Sequence, residues 1–326
     1  MYAAEIGRRA GQAAVLLSGD AGQAEIIPAL GATVRQIALR PAGLPPRACG
    51  QSRVVPILAP DPDEESLLAN ADFRGRHLFP FNDRIPDGRY SFAGCGYQLP
   101  TNRGRDALHG LVHSAPFELD ELRSVPERAE ALLHIEPERY VCAGYPFPLR
   151  LSLRFTLSRE GFRVDYVVEN RGRAAAPFAL GWHPYFSLGG LADTWRLRAE
   201  SAEWVPVDGG LIPTGDSAPV GKTPFDFREG RPIDHLSLDV ALVASPNGRY
   251  ELSGGGYRLL LAYDPALFRY VQLYLPSDRR SLAVEPVTAA TNAFNLPSLG
   301  LRTIAPAETV AGFAAVAIEP APPPVR

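Results

Sequence analysis

Residues 149–157 read Leu-Arg-Leu-Ser-Leu-Arg-Phe-Thr-Leu, apolar and polar in alternation, and after a short turn residues 161–170 alternate again. Successive side chains of a strand point to opposite faces, so each run makes a ribbon with one dry face and one wet face. Two such ribbons joined by a tight turn predict an antiparallel hairpin. Wound as a helix, the same residues would scatter their apolar groups around the axis and leave no face to bury. The hairpin therefore demands further strands at its edges and an apolar layer over its dry side.

The rest of the chain supplies both. Strands are expected at 13–17, 24–28, 32–39, 258–263, 270–275 and 310–318, with a break at 41–46, and helix only at 62–70 and 126–133. The 32 prolines and 30 glycines are spread along the length, which suits strand ends and loops and is hostile to helix interiors. No stretch rich in Gly, Ser or charge marks a boundary. The reading is all-β: one large antiparallel β-sandwich domain over residues 1–319 with few short helices, followed by a proline-rich tail at 320–326.

Bulk properties narrow the partners. A net charge of −3 and a pI near 6.1 give no long-range attraction for nucleic acid or an anionic membrane. Cys49, Cys95 and Cys142 have no Cys-x-x-Cys spacing and read as free thiols. With no apolar leader in residues 1–19, the expected setting is the cytoplasm. No dinucleotide fingerprint, P-loop or Gly-x-Ser-x-Gly elbow occurs, so no cofactor is expected. Nothing sets the assembly beyond a monomer or homodimer.

What remains is a set of acids, bases and donors at strand ends. Glu285 follows an apolar run and precedes Pro286, which places it where a strand stops and turns outward. Taken singly it is a surface glutamate at a turn; held on apolar support it is a candidate general base. His183 lies between Trp182 and Pro184-Tyr185-Phe186, where an imidazole can donate a proton beside aromatic faces fit for a sugar ring. Asn82, Asp83 and Arg84 form a polar loop whose guanidinium can fork onto oxygens. His109 and His113 stand at helical ligand spacing, but Gly110 and Val112 oppose a helix there, so no metal site is expected and His109 reads as a hydrogen-bonding group. His77 and His134 read as surface or satisfied core residues. Asp234 and Asp239 compete for one further role.

In order along the chain, Leu30-Gly31-Ala32, Asn82-Asp83-Arg84-Ile85, Leu108-His109-Gly110, His183-Pro184-Tyr185-Phe186-Ser187-Leu188, Glu285-Pro286 with Asn292-Ala293-Phe294-Asn295, and Ile304-Ala305-Pro306-Ala307-Glu308 resemble the motifs of the aldose 1-epimerase (galactose mutarotase) family. The resemblance implies that family's large β-sandwich and a small-molecule sugar as substrate. It also implies roles: Glu285 the base that takes the anomeric proton, and His183 the acid that protonates the ring oxygen. His109, Arg84, Asn82, Trp182 and Tyr185 would hold the sugar, with Asp239 preferred to Asp234 on spacing. Three departures stand out, the last two touching sugar preference. Asp83 intrudes between Asn82 and Arg84 and would displace or pair with the arginine, Ser187 stands for an asparagine, and Val287-Thr288 stand where the galactose enzymes commonly carry a glutamine. A mutarotase for hexose 6-phosphates, served by arginines such as Arg103 and Arg105, and a sugar-binding protein without turnover are the competing readings.

Overall fold

The computed structural model describes residues 1–43 and 54–321, and strands dominate it. The hairpin at its centre is formed by Leu149–Ser158 and Gly161–Asn170, in register from Leu149 opposite Asn170 to Ser158 opposite Gly161. Its dry face, Leu149, Leu151, Leu153, Phe155 and Leu157, is wholly buried. The hairpin takes the third and fourth places in a nine-stranded sheet that runs Glu118–Val125, Arg128–Ile135, the hairpin, Thr309–Pro320, Tyr257–Tyr263, Arg249–Gly254, Arg196–Ala199 and Arg231–Pro232.

A second, eight-stranded sheet faces it. Its order is Ala218–Pro219, Glu203–Trp204, Asp239–Val243, Tyr270–Tyr274, Leu282–Val287, Gly181–Trp182 and His77–Leu78, with Tyr185–Phe186 also paired to Leu282–Val287. The two sheets share one core, in which Phe162 and Phe155 of the first meet Trp182 and His77 of the second. A five-stranded sheet from the first residues packs through Gln12–Gly19 onto Arg128–Ile135 and Leu149–Ser158. The fold is a large antiparallel β-sandwich.

Several sequence expectations need correction. Residues 126–133 do not form a helix: Arg128–Ile135 is a strand. Its Ala-Glu-Ala-Leu-Leu run favours helix locally, but ladders on both edges outweigh that preference. A first strand, Ala3–Arg9, was not anticipated. The last strand continues through Pro320, which pairs with Tyr257, so the tail begins later than expected. The helix expected at 62–70 is Glu64–Ala69, capped by the Asp63 carboxylate, which accepts from Ser66 N–H at 2.7 Å. The break expected at 41–46 beyond residue 43, Cys49, and the tail from residue 322 fall outside the described residues.

Candidate active site

Glu285 does not end a strand. It sits within Leu282–Val287, opposite Gln272, and is 2% exposed. The strand is buried on both faces, hence its continuous apolar sequence, and one carboxylate inside it is costly unless it serves a purpose. Pro286 explains the neighbouring geometry. Val284 N–H donates to Pro184 O and Thr288 N–H to Leu180 O, while Pro286, midway, has no N–H to give. On that edge the partner is split into Gly181–Trp182 and Tyr185–Phe186, with His183-Pro184 at the break.

His183 thereby faces Glu285, Nε2 to Oε1 at 3.5 Å, and is itself 4% exposed. Its ring stacks on Tyr185 at 5.0 Å, and the Arg74 guanidinium covers the Tyr185 ring at 4.3 Å. The Tyr185 hydroxyl is fixed by donation to Asp72 O at 3.0 Å. Burial pushes the imidazole down to about 3, with the Arg74 charge adding to it. Burial drives Glu285 the other way, well above the usual carboxylate range, helped by the charges of Asp83 and then Asp239. Burial thus favours the uncharged form of each partner, imidazole and carboxylic acid, over the ion pair.

A second edge of the site comes from two loops tied together. Asp83 N–H donates to His109 Nδ1 at 3.2 Å, and His109 N–H donates to Asp83 O at 3.1 Å. With Nδ1 accepting, the neutral His109 ring carries its proton on Nε2, a donor available to a ligand. Burial, then His183 and the cations around it, holds His109 well below the ordinary histidine value. His109 has φ +62° and Gly110 φ +85°, and a Cβ on Gly110 would lie 2.3 Å from Phe79 O. Only glycine permits that turn. His113 points elsewhere, to Asn70 Nδ2 at 3.0 Å.

Asp83 neither pairs with Arg84 nor displaces it. Its carboxylate accepts a short hydrogen bond from the Thr291 hydroxyl, while Arg84 Nη1 meets Asp106 Oδ2 at 2.8 Å. Asp83, Arg84 and Thr291 line a cavity of ≈ 280 Å³ with His183, Glu285, His109, Tyr185 and Asp239. Asp239 Oδ1 accepts from Gln272 Nε2 at 2.7 Å. Although Asp239 is exposed to the cavity, surrounding protein displaces enough bulk water, with Asp83 second, to push its carboxyl up to about 6.

Two anticipated residues are absent from the wall, and so are two named as alternatives. Trp182 is fully buried in the core against Phe162 and Phe186, because consecutive strand residues point to opposite faces and His183 takes the cavity side. Asn82 is buried too, donating to Ala289 O at 2.6 Å, and so braces the two loops. Asp234, the rejected rival of Asp239, is on the surface beside His235, and Arg105 is occupied with Asp87 at 2.6 Å. Sequence reasoning missed Gln272, Tyr274, Thr291, Asp83 as a wall residue, Asp72, Phe73, Val205, Val207 and Leu211. Gln272 had a signal: a polar residue in Tyr-Val-Gln-Leu-Tyr on the strand beside Glu285. The loop residues had none.

The family model described as aldose 1-epimerase matches residues 24–290. The uncharacterized protein YihR of Escherichia coli K12 is 28% identical over 246 residues, 73% of this chain and 76% of that one. Human galactose mutarotase is 30% identical over 169 residues, 51% of this chain and 48% of its own length, so the match spans about half of that relative. Among solved structures, a galactose mutarotase-like protein from Clostridium acetobutylicum aligns with a TM-score of 0.83 at 18% identity, covering 98% of both chains. Galactose 1-epimerase from Lactobacillus acidophilus aligns at 0.78 and 19% identity over 99% of this chain and 100% of that one, which is a likeness of fold. On the family match, this chain belongs to the aldose 1-epimerase family.

Proposed function

We propose that this chain is a mutarotase that interconverts the α and β anomers of a free hexose or related aldose. The observation that carries the reading is the buried His183–Glu285 pair at 3.5 Å, open to a cavity otherwise lined by groups suited to sugar hydroxyls. At ≈ 280 Å³ the cavity lies at the small end of ligand sites, roughly 300–1,000 Å³, and suits one compact ring rather than a chain of them.

Ring opening moves two protons. The base takes the O1 proton as C1=O forms, the C1–O5 bond breaks, and the acid gives its proton to O5. After rotation about C1–C2 the reverse transfers close the ring on the other face, so nothing is consumed. One proton on the pair serves this cycle; two or none stop it. In the resting pair the proton favours Glu285. An anomeric hydroxyl donating to Glu285 stabilises its charged form and shifts that proton to His183, giving Glu285 as base and His183 as acid. His109 Nε2–H and Arg84 would hold ring oxygens, Asp239 would accept a hydroxyl, and Tyr185 would support the imidazole from behind.

Arg103, on the cavity wall and donating to Ala71 O at 3.2 Å, is the feature that favours the phosphorylated alternative. Against it stand Asp72, Asp83 and Asp239 on the same wall. Free thiols at Cys95 and Cys142 support a cytoplasmic setting. The test is polarimetry on fresh α-D-glucose and α-D-galactose. Wild type should accelerate the change in rotation, and Glu285→Gln and His183→Asn should each lose about 10²–10⁴-fold. A wild-type protein that binds a sugar yet leaves its rotation rate at the solvent value would be a binding protein instead.

A further inference from the structure

We propose that Asp83 is a specificity-determining residue: its carboxylate, anchored by Thr291 on the wall it shares with Asp239, sets the charge preference of the cavity. Aldoses bearing an ammonium group are preferred to neutral ones, and neutral ones to anionic ones. This rests on the mutarotase reading and goes beyond it in naming the charge class of the substrate.

Asp83 adopts φ +56°, a left-handed conformation that aspartate tolerates better than most residues. Its loop is fixed on three sides. The backbone exchanges hydrogen bonds with His109, Asn292 N–H donates to Arg84 O at 2.9 Å, and the carboxylate itself accepts from Thr291. Asp83 therefore cannot swing away from the cavity when a ligand enters.

A carboxylate offers about four acceptor sites. Thr291 takes one of those on Asp83, and the side chain lines the cavity, where burial raises its carboxyl while Thr291 and the Arg84 charge pull it back down. Asp239, engaged by Gln272 through Oδ1, faces the same space. The cations on the wall offset this only in part, Arg84 acting on both carboxylates. Arg84 is itself paired with Asp106, and Arg103 is exposed. An ammonium group between two carboxylates gains charge-assisted hydrogen bonds from both, whereas a phosphate or second carboxylate meets like charge in a poorly solvated cavity.

The experiment compares anomer interconversion of glucose, protonated glucosamine and glucose 6-phosphate by wild type and Asp83→Asn. Asparagine keeps the size and the φ preference while removing the charge. Wild-type kcat/KM should rank glucosamine above glucose and glucose above glucose 6-phosphate. Asp83→Asn should shrink the glucosamine-to-phosphate ratio about tenfold or more, mainly through KM, as the loss of one nearby charge requires. Acceleration with a flat or reversed charge ranking in wild type, or an unchanged ratio in the variant, overturns the role of Asp83 and leaves the mutarotase standing. No acceleration on any of the three removes the mutarotase reading and this inference with it.

Discussion

Asp239 carries the clearest pH signature of any single residue in the site. Its carboxyl, pushed up to about 6 by lost bulk water and then by Asp83, is ionised at neutral pH and takes a proton below that value. A protonated carboxyl accepts hydrogen bonds poorly, so KM for a neutral aldose should rise several-fold between pH 7 and pH 5. Asp239→Asn should raise KM at neutral pH and abolish the inflection near 6; an inflection that persists would assign it to another group. Residues of this kind were partly legible. Glu285, His183, His109 and Arg84, each ordinary when taken singly, stood out as a set of titratable or forked groups beside Gly, Pro or an aromatic run, and the fold brings them to one cavity. Asp83 did not, since an Asn-Asp turn is common and its anchor, Thr291, is distant in sequence. Trp182 was misjudged for a related reason. Adjacency to His183 suggested a shared site, whereas strand alternation sends the two side chains to opposite sides.

At the scale of the element, alternation decides how the central hairpin answers to substitution. Leu153 lies on the dry face with no exposure, and Arg154 beside it lies on the wet face, 3.4 Å from Glu121. Leu153→Ala should lower the unfolding free energy by about 2–5 kcal/mol, the transfer loss plus a cavity. Arg154→Ala should change it by about 0.5 kcal/mol or less, because a half-exposed ion pair is screened. Denaturant unfolding of both variants checks the register, and comparable losses would contradict it. These two strands were legible for the same reason they are stable: their pattern fits one period and one face. Arg128–Ile135 was not, because Ala, Glu and Leu carry the strongest helix preference of any stretch here. Its strand state comes from partners on either edge, which no local window contains. The strand holding Glu285 shows a third case, in which proline was read as a stop. Within the sheet it marks where the neighbouring strand is interrupted.

For the whole molecule, the buried histidines govern how stability depends on pH. Burial pushes His77 and His183 down to about 3 and His113 to about 4, from an ordinary value of 6.5. Unfolded chains take up protons on these residues near pH 6.5, while the folded protein resists until pH 3–4. Below 6.5 the unfolded state binds more protons, so stability falls with falling pH. Asp239 and Glu285 act with the opposite sign. Their folded carboxyls hold protons that the unfolded chain releases near pH 4, so acidification towards 4, beginning near 6 for Asp239, returns part of what the histidines remove. The melting temperature should therefore fall as pH drops from 7 through 5, since the three histidines outnumber the two opposing carboxyls. His77 separates this effect from the site: it is fully buried in the core between Phe155 and Tyr166, away from the cavity wall. His77→Leu should reduce the slope of melting temperature against pH between 7 and 5, whatever it does to the melting temperature at pH 7. An unchanged slope in that variant would move the acid sensitivity to the histidines of the cavity, where a bound sugar should then suppress it.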